Sequence, residues 1–225
     1  MASKGNKRHI KGLNAPHYFG TPRKEHKYVV KPNAGRHSLE RSIPLLLALR
    51  ELNPNSNSRA LVKAIKLGMV KINGKLIKDP RFPIGINDLL EIEGEGKKLT
   101  LSINERGKVE LLEGETDLAL LYKVVGKYKR RGGKLMVRLH DGRIVEGTNE
   151  IAVNDSVRLN SGKIEKHISM KEGAECIVFD GDHAGARGVI KKIYRGTKST
   201  SSYVTIESTP SHETFDTLMS SVMVV

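Results

Sequence analysis

From residue 98 onward the chain offers little that a helix could use. The stretches 'LTLSIN', 'KVELL', 'LLYKVVGKY', 'KLMVRLH', 'GRIVEG', 'DSVRL' and 'KIEKHISM' are short and apolar, with turn signals between them. Strands at roughly 8–12-residue spacing build a small barrel or sandwich, since a parallel sheet needs crossover helices between its strands. The last segment continues the pattern. 'GAECIVFDGDHAGARGVIKKIY' runs a strand into a glycine-rich loop with Gly181, Gly185 and Gly188, then out into a second strand. 'SSYVTIES' and 'SVMVV' read as further strands, 'TPSHETFD' as a connection and 'YKRRGGK' as a basic hairpin tip.

Helices are confined to a short region upstream. 'SIPLLLALRELN' places Pro44 near a first helical turn, where its missing N–H costs little, and follows it with leucines up to Pro54. 'NSNSRALVKAIKLG' supplies Ser56 or Ser58 as N-cap and Gly68 as the residue that ends the helix at positive φ. On that second helix Arg59, Lys63 and Lys66 fall at i, i+4 and i+7 and form a basic ridge. 'MVKINGKLI' then reads as a hairpin around Asn73-Gly74, with Lys71, Lys75 and Lys78 extending the basic surface. 'FPIGINDLLEIEG' supplies a strand in which Leu90 and Ile92 alternate with acids.

The net charge of +14, from 39 Lys and Arg against 25 Asp and Glu, is unevenly placed. Residues 1–41 hold ten basic residues against Glu25 and Glu40, which accounts for eight of the fourteen. The stretch Lys123–Arg143 adds eight basic residues against Asp141, whereas the last 25 residues hold three acids and no Lys or Arg. Tyr18, Phe19 and Tyr28 lie among the N-terminal charges, with Pro and Gly between them and no helical period. Extended basic chain with scattered rings suits a phosphate-rich partner, because cations release counterions while rings stack on exposed bases. A basic arm alone reads equally well as a solvated tail.

Other chemistry is absent from the pattern. Hydrophobic residues at 38 % with 22 Gly give an ordinary globular fraction, which argues against general disorder. Cys176 is the only cysteine, so there is no intrachain disulfide, no thiolate zinc finger and no four-cysteine iron–sulfur cluster, and a reducing intracellular compartment fits. Between Ala174 and Ile177, it reads as a buried structural thiol. The apolar runs Pro44–Leu49 and Leu118–Tyr122 fall far short of the ~20 residues of a spanning helix, and the N-terminus lacks the features of a signal or transit peptide. The glycine-rich loop has neither P-loop nor Rossmann spacing. 'DGDHAG' fails as a calcium loop, with Ala184 and Lys191 at two ligand positions. The eight His form no i, i+4 pair. We expect no metal, no cofactor, no small-molecule substrate, no membrane association and no enzymatic activity. A basic arm, a basic helix ridge and a basic β turn together point to nucleic-acid binding.

Two segments carry a family resemblance. The paired helices with 'VKINGKLIKDPRFPIGINDLLEI' resemble the alpha-L RNA-binding module, and 'GAECIVFDGDHAGARGVIKKI' resembles a KOW motif. Their order, after 'KRHIKGLNAPHYF' and 'SIPLLLALR' and with 'VNDSVRLNSGKIEKHISMKEGAECIVF' leading into the second, is similar to the archaeal and eukaryotic type of small-subunit ribosomal protein four over essentially the whole chain. One departure is 'GDHAGARG', where the resemblance implies a double glycine at the opening of the loop.

The resemblance implies an α+β, mainly β, multidomain chain. Its parts would be a basic N-terminal extension over 1–41, an alpha-L module of two or three helices plus a small sheet over 42–97, a central barrel-like all-β domain over 98–170, and a KOW-containing, SH3-like β-barrel over 171–225. It further implies a structural protein of the cytoplasmic small ribosomal subunit, with ribosomal RNA and neighbouring ribosomal proteins as partners. Candidate RNA-binding residues are Lys4, Lys7, Arg8, Lys11, Arg23, Lys24, Arg36 and Arg41 in the arm, which would order only on binding. Arg59, Lys63, Lys66, Lys71, Lys75 and Lys78 follow in the alpha-L segment, Lys129, Arg130 and Arg131 in the central segment, and Gly185 and Arg187 in the glycine loop. For Gly185 and Gly188 a plain β turn is the competing role. The alternatives are a KOW-bearing transcription factor and an RNA-modification enzyme carrying an alpha-L module.

Overall fold

The computed structural model describes residues 7–22, 24–93, 96–104, 106–114, 120–160, 162–197, 199–209 and 212–225. Among them the fold is mainly β with two α-helices. Packing divides the chain into two compact units, one of residues 1–102 and 108–115, the other of residues 103–107 and 116–225.

In the first unit, β1 (His9–Lys11) pairs antiparallel with β2 (Tyr28–Val30). Between them a 3-10 turn over His17–Phe19 buries Tyr18 and Phe19, which are 8 % and 4 % exposed, and Val29 of β2 is buried as well. The N-terminal segment is therefore packed structure within the described residues, where sequence led us to expect an arm that orders only on binding. Two rings read as stacking partners for bases are core instead. Tyr28 alone of the three is exposed. The charge-rich composition hid the few apolar residues that do the packing.

β3 (Ser42–Pro44) pairs with β6 (Pro83–Gly85) across α1 (Leu45–Leu52), α2 (Ser58–Leu67), β4 (Val70–Ile72) and β5 (Lys75–Leu76). Pro44 ends β3 and caps α1 without a side-chain hydrogen bond. The first helical amides, Leu45 and Leu46, instead donate to the Phe82 and Pro80 carbonyls at 2.9 Å each, which satisfies donors that would otherwise be orphaned. α2 starts one residue away from either expected serine cap: Asn57 accepts from the Arg59 amide at 3.0 Å. Gly68 closes it at φ 84°. The Asn73-Gly74 turn takes φ 50° and 74°, as a type I′ hairpin requires. β4 then joins a five-stranded sheet in the order β5-β4-β7-β8-β9, with β7 at Leu89–Ile92, β8 at Lys97–Ile103 and β9 at Val109–Glu113. Leu45, Leu49, Ile65, Val70, Ile72, Leu90 and Leu99 are buried in this unit.

The second unit is built of strands. β10 (Leu121–Lys129), β11 (Leu135–Leu139), β12 (Ile144–Glu146), β13 (Ser156–Asn160) and β14 (Lys163–Ile168) form an antiparallel sheet in the order β12-β11-β10-β13-β14. A bulge between Val124 and Gly126 bends β10, whose start pairs with β13 and whose end pairs with β11. The edge strands β12 and β14 thereby approach each other, so the sheet curls around Tyr122, Val124, Val137, Leu139, Val157 and Leu159.

β15 (Glu175–Val178), β16 (Arg187–Tyr194), β17 (Tyr203–Ser208), β18 (Thr214–Leu218) and β19 (Val222–Val224) make a second sheet in the order β18-β17-β16-β15-β19. β18 corrects the expectation of an irregular connection at 'TPSHETFD': Phe215 is half-buried against the core of this sheet. Gly188 is where β16 and β17 touch, since a Cβ there would meet the Glu207 carbonyl oxygen at 2.1 Å. The two sheets are tied together. The Lys123 ammonium, 2 % exposed, donates to the Met219 carbonyl and, at 2.6 Å, to that of Val222, and the Val224 amide donates to Ser156 Oγ at 3.1 Å. Cys176 is buried, and burial pushes its thiol up to about 12. Such a thiol is an unreactive one.

Candidate nucleic-acid interface

α2 is amphipathic because Ile65 must be buried while Arg59, Lys63 and Lys66 share the opposite side of the cylinder. All three cations are exposed and make no ion pair among the described residues. The chain passes through Gly68 directly into β4, so the ridge continues into the hairpin. Lys75 and Lys78 are exposed there and equally unpaired among the described residues. Lys71 differs. Its ammonium lies 2.5 Å from Glu93 Oε1, and the hydrogen bond and charge of Glu93 raise its pKa above the ordinary lysine value. A phosphate arriving at Lys71 has to compete with that carboxylate.

The hairpin is fixed from behind by a buried carboxylate. Asp88 receives His37 Nε2 at 2.9 Å, the Gly85 amide at 3.0 Å and Asn73 Nδ2 at 2.6 Å, with Arg36 at 3.8 Å. Burial by itself would raise its pKa. The hydrogen bond from His37, the charges of His37 and Arg36 and the Gly85 amide outweigh this and hold it well below the usual carboxylate range. Asn73 in turn accepts from the Leu89 amide at 2.8 Å. Arg36 is part-exposed and faces Asp88, so a phosphate there would meet a guanidinium already set against a carboxylate. Lys7, Arg8, Lys11 and Lys24 are exposed along the β1–β2 segment, and Arg41 is exposed but already engaged within the fold. Lys4 and Arg23 lie outside the described residues.

In the second unit the basic run of β10 to β12 separates into two classes. Lys123 is buried, Lys127 Nζ donates to the Asn149 and Ile151 carbonyls at 2.8 and 2.7 Å, Lys134 pairs with Glu146 at 2.6 Å, and Arg143 pairs with Asp141. That leaves Arg138, exposed on β11, and Lys129, Arg130 and Arg131, exposed at the hairpin tip, where Gly132 and Gly133 take φ 97° and 79°. In the glycine loop Arg187 is exposed but Gly185 is buried, and its amide donates to the Val178 carbonyl at 2.7 Å. At φ 94° Gly185 makes the turn from β15 toward β16. Its amide is therefore used within the hairpin. Among the described residues no three His, Cys, Asp or Glu side chains converge as a metal site.

Surface cations on small β modules suit many anionic partners, so comparison with known proteins is needed to narrow them. The chain is 32 % identical to small ribosomal subunit protein eS4 of Methanocella arvoryzae over 220 residues, covering 96 % of this chain and 93 % of that protein. It belongs to the eS4 family. The eS4 protein of Archaeoglobus fulgidus is 34 % identical over 202 residues, 88 % of this chain and 86 % of its own. Residues 4–40 match the RS4NT (NUC023) domain and residues 96–165 match Ribosomal family S4e. Among solved structures, the 30S ribosomal protein S4e of Thermoplasma acidophilum superposes with a TM-score of 0.69 at 27 % identity, covering 82 % of this chain and 95 % of that one.

In this eS4-family chain, sequence reasoning missed the inward-facing polar residues. Asp88 was not singled out and Lys123 was only counted in a basic stretch, although the signal available for both was a single ionisable residue inside an apolar run, 'INDLL' and 'LLYKVV'. Lys163 and Lys166 of β14 were not singled out either, although both are exposed.

Proposed function

We propose that this chain is a structural constituent of the small ribosomal subunit, in the cytoplasm, which binds small-subunit ribosomal RNA beside neighbouring ribosomal proteins and catalyses no reaction. The similarity to eS4 proteins over nearly the full length of both chains carries this reading. The exposed cations supply its chemistry. We assign residues 42–97 to an alpha-L module whose sheet is completed by β8 and β9 from the following segment, 98–170 to a central β domain built on β10–β14, and 171–225 to a KOW-containing β-barrel, following an N-terminal extension over 1–41.

Phosphate contacts fall to Arg59, Lys63, Lys66, Lys75 and Lys78, to Lys129, Arg130, Arg131 and Arg187, and to Lys7, Arg8, Lys11 and Lys24. Lys71 contributes by exchanging Glu93 for phosphate. Such a surface reads the shape of folded RNA, since the A-form major groove is too narrow for side chains and the backbone is what a lysine can reach. Arg36 and Gly185 serve the fold.

Two measurements test the reading. In a sucrose gradient the chain co-migrates stoichiometrically with small subunits; a pool confined to another particle overturns the proposal. The double variant Arg59→Glu, Lys63→Glu weakens binding to small-subunit RNA and lowers the slope of log affinity against log salt by roughly 1.5, the share of two phosphate contacts. A slope equal to that of the unaltered chain would mark the ridge as merely solvated.

A further inference from the structure

Tyr194 and Tyr203 face each other at the end of the β16–β17 ribbon, in register as a cross-strand pair. Their rings stack at 4.5 Å between centroids and 16° between planes, yet remain 40 % and 39 % exposed. Strand alternation explains why. Ile193 and Val204, one step away, turn toward the core, so both tyrosines lie on the outer face together with Lys192. Leu218 of β18, opposite Tyr203, extends the row and is also exposed.

Large exposed rings demand a reason, and their surroundings supply one. Lys192 and Arg195 flank the pair, exposed and without an ion-pair partner among the described residues. The acids nearby are engaged: Asp216 accepts from Thr205 Oγ1 at 2.5 Å, Glu207 pairs with Lys191 at 2.7 Å, and Glu172 accepts from the Ile193 amide at 3.3 Å. The adjoining loop is also held in shape. The Gly196 amide donates to Ser202 Oγ at 2.9 Å, the Thr197 amide donates to Thr200 Oγ1 at 3.0 Å, and a Cβ at Gly196 would meet the Thr200 carbonyl oxygen at 2.0 Å. The platform is therefore built before any ligand arrives, which lowers the entropy lost on binding.

We propose that the Tyr194–Tyr203 pair is a stacking platform for an unpaired RNA base, with Lys192 and Arg195 holding the phosphates on either side. The proposal rests on the RNA-binding reading above and deepens it: the cations elsewhere contact duplex backbone, whereas this site takes a single-stranded nucleotide. Free cations beside the rings favour this ligand over an apolar protein surface, and a π-face accepts any base, so the site selects unpaired structure over sequence.

The full chain is titrated with a fluorescent, unstructured 12-nucleotide RNA and with an abasic RNA of equal length and charge. The unaltered protein prefers the base-bearing RNA by about tenfold, the scale of one stacked base. Tyr194→Leu with Tyr203→Leu abolishes the preference, while Tyr194→Phe with Tyr203→Phe keeps it. Leu variants that retain the preference, or an unaltered chain that shows none because the patch docks protein, overturn the proposal. Should the Leu pair fail to fold, 4-thiouridine cross-linking to the unaltered chain decides: adducts on Tyr194 or Tyr203 support the platform, and adducts confined to other segments refute it. Normal co-migration with small subunits alongside either negative result would sink the platform and leave the ribosomal reading standing.

Discussion

Asp88 joins segments that are far apart in sequence: His37 precedes it by 51 residues and Asn73 by 15. In 'GINDLLEI' it looks like one acid among several alternating with apolar residues, and nothing in the pattern separates it from Glu91. The difference is made by Gly85. A Cβ there would meet His37 Nδ1 at 2.3 Å, so the missing side chain admits the imidazole that covers the carboxylate. Replacing Asp88 with Asn keeps the shape but removes the charge that His37 and Arg36 face, and we expect a loss of about 2–3 kcal/mol in urea unfolding at neutral pH. The carboxyl of the folded state titrates below the ~3.9 of an unfolded Asp. Its stabilisation is therefore fully present above about pH 4 and is lost as pH falls through the folded value. The Asn variant should show a flatter decline of stability below about pH 4 than the unaltered chain, and parallel acid limbs would refute this role.

At the scale of elements, periodicity and turn chemistry were enough to find α1, α2, the Asn73-Gly74 hairpin and most strands of the second unit. Each depends on residues adjacent in sequence. β18 was missed because 'HETFD' offers one half-buried ring and no apolar alternation. The basic run across β10 to β12 was misread for a different reason: burial depends on what packs against a strand, and the carbonyls that receive Lys123 arrive from about a hundred residues downstream. Lys123→Ala leaves two buried acceptors without their donor and should cost about 2–3 kcal/mol in unfolding free energy. RNA affinity of the folded variant at low temperature stays within about twofold of the original, since the residue is not on the surface. A tenfold loss of affinity with unchanged stability would contradict the structural assignment.

For the whole molecule, a charge of +14 suits an anionic partner but does not say which cations would meet it. The structure sorts them: Lys123, Lys127, Arg143 and Arg36 are engaged within the fold, Lys71 and Lys134 sit in exposed ion pairs, and the α2 ridge, the β10–β11 tip and Arg187 have no ion pair among the described residues. The described part of the N-terminal segment, residues 7–22 and 24–41, is likewise a packed part of the first unit. A chain starting at Ser42 would lose Tyr18, Phe19, Val29 and the His37 cover of Asp88 together, so we expect its first unit to melt by about 10 °C or more earlier, a few kcal/mol at the usual several degrees for each. Truncation without a shift in hydrogen-exchange protection of β4 and β7 would restore the picture of a loose arm. The strap from Lys123 to Met219 and Val222 also bears on the order in which structure is acquired. Closing a loop of that length costs entropy before any contact compensates it, so neighbouring hairpins form early and β19 docks late. Pulse-labelled exchange during refolding should find the amides of β10 to β12 protected before those of β19. Until that last strand arrives, the carbonyls that receive the Lys123 ammonium are not in place, so a residue early in this unit is paired only when its end is seated.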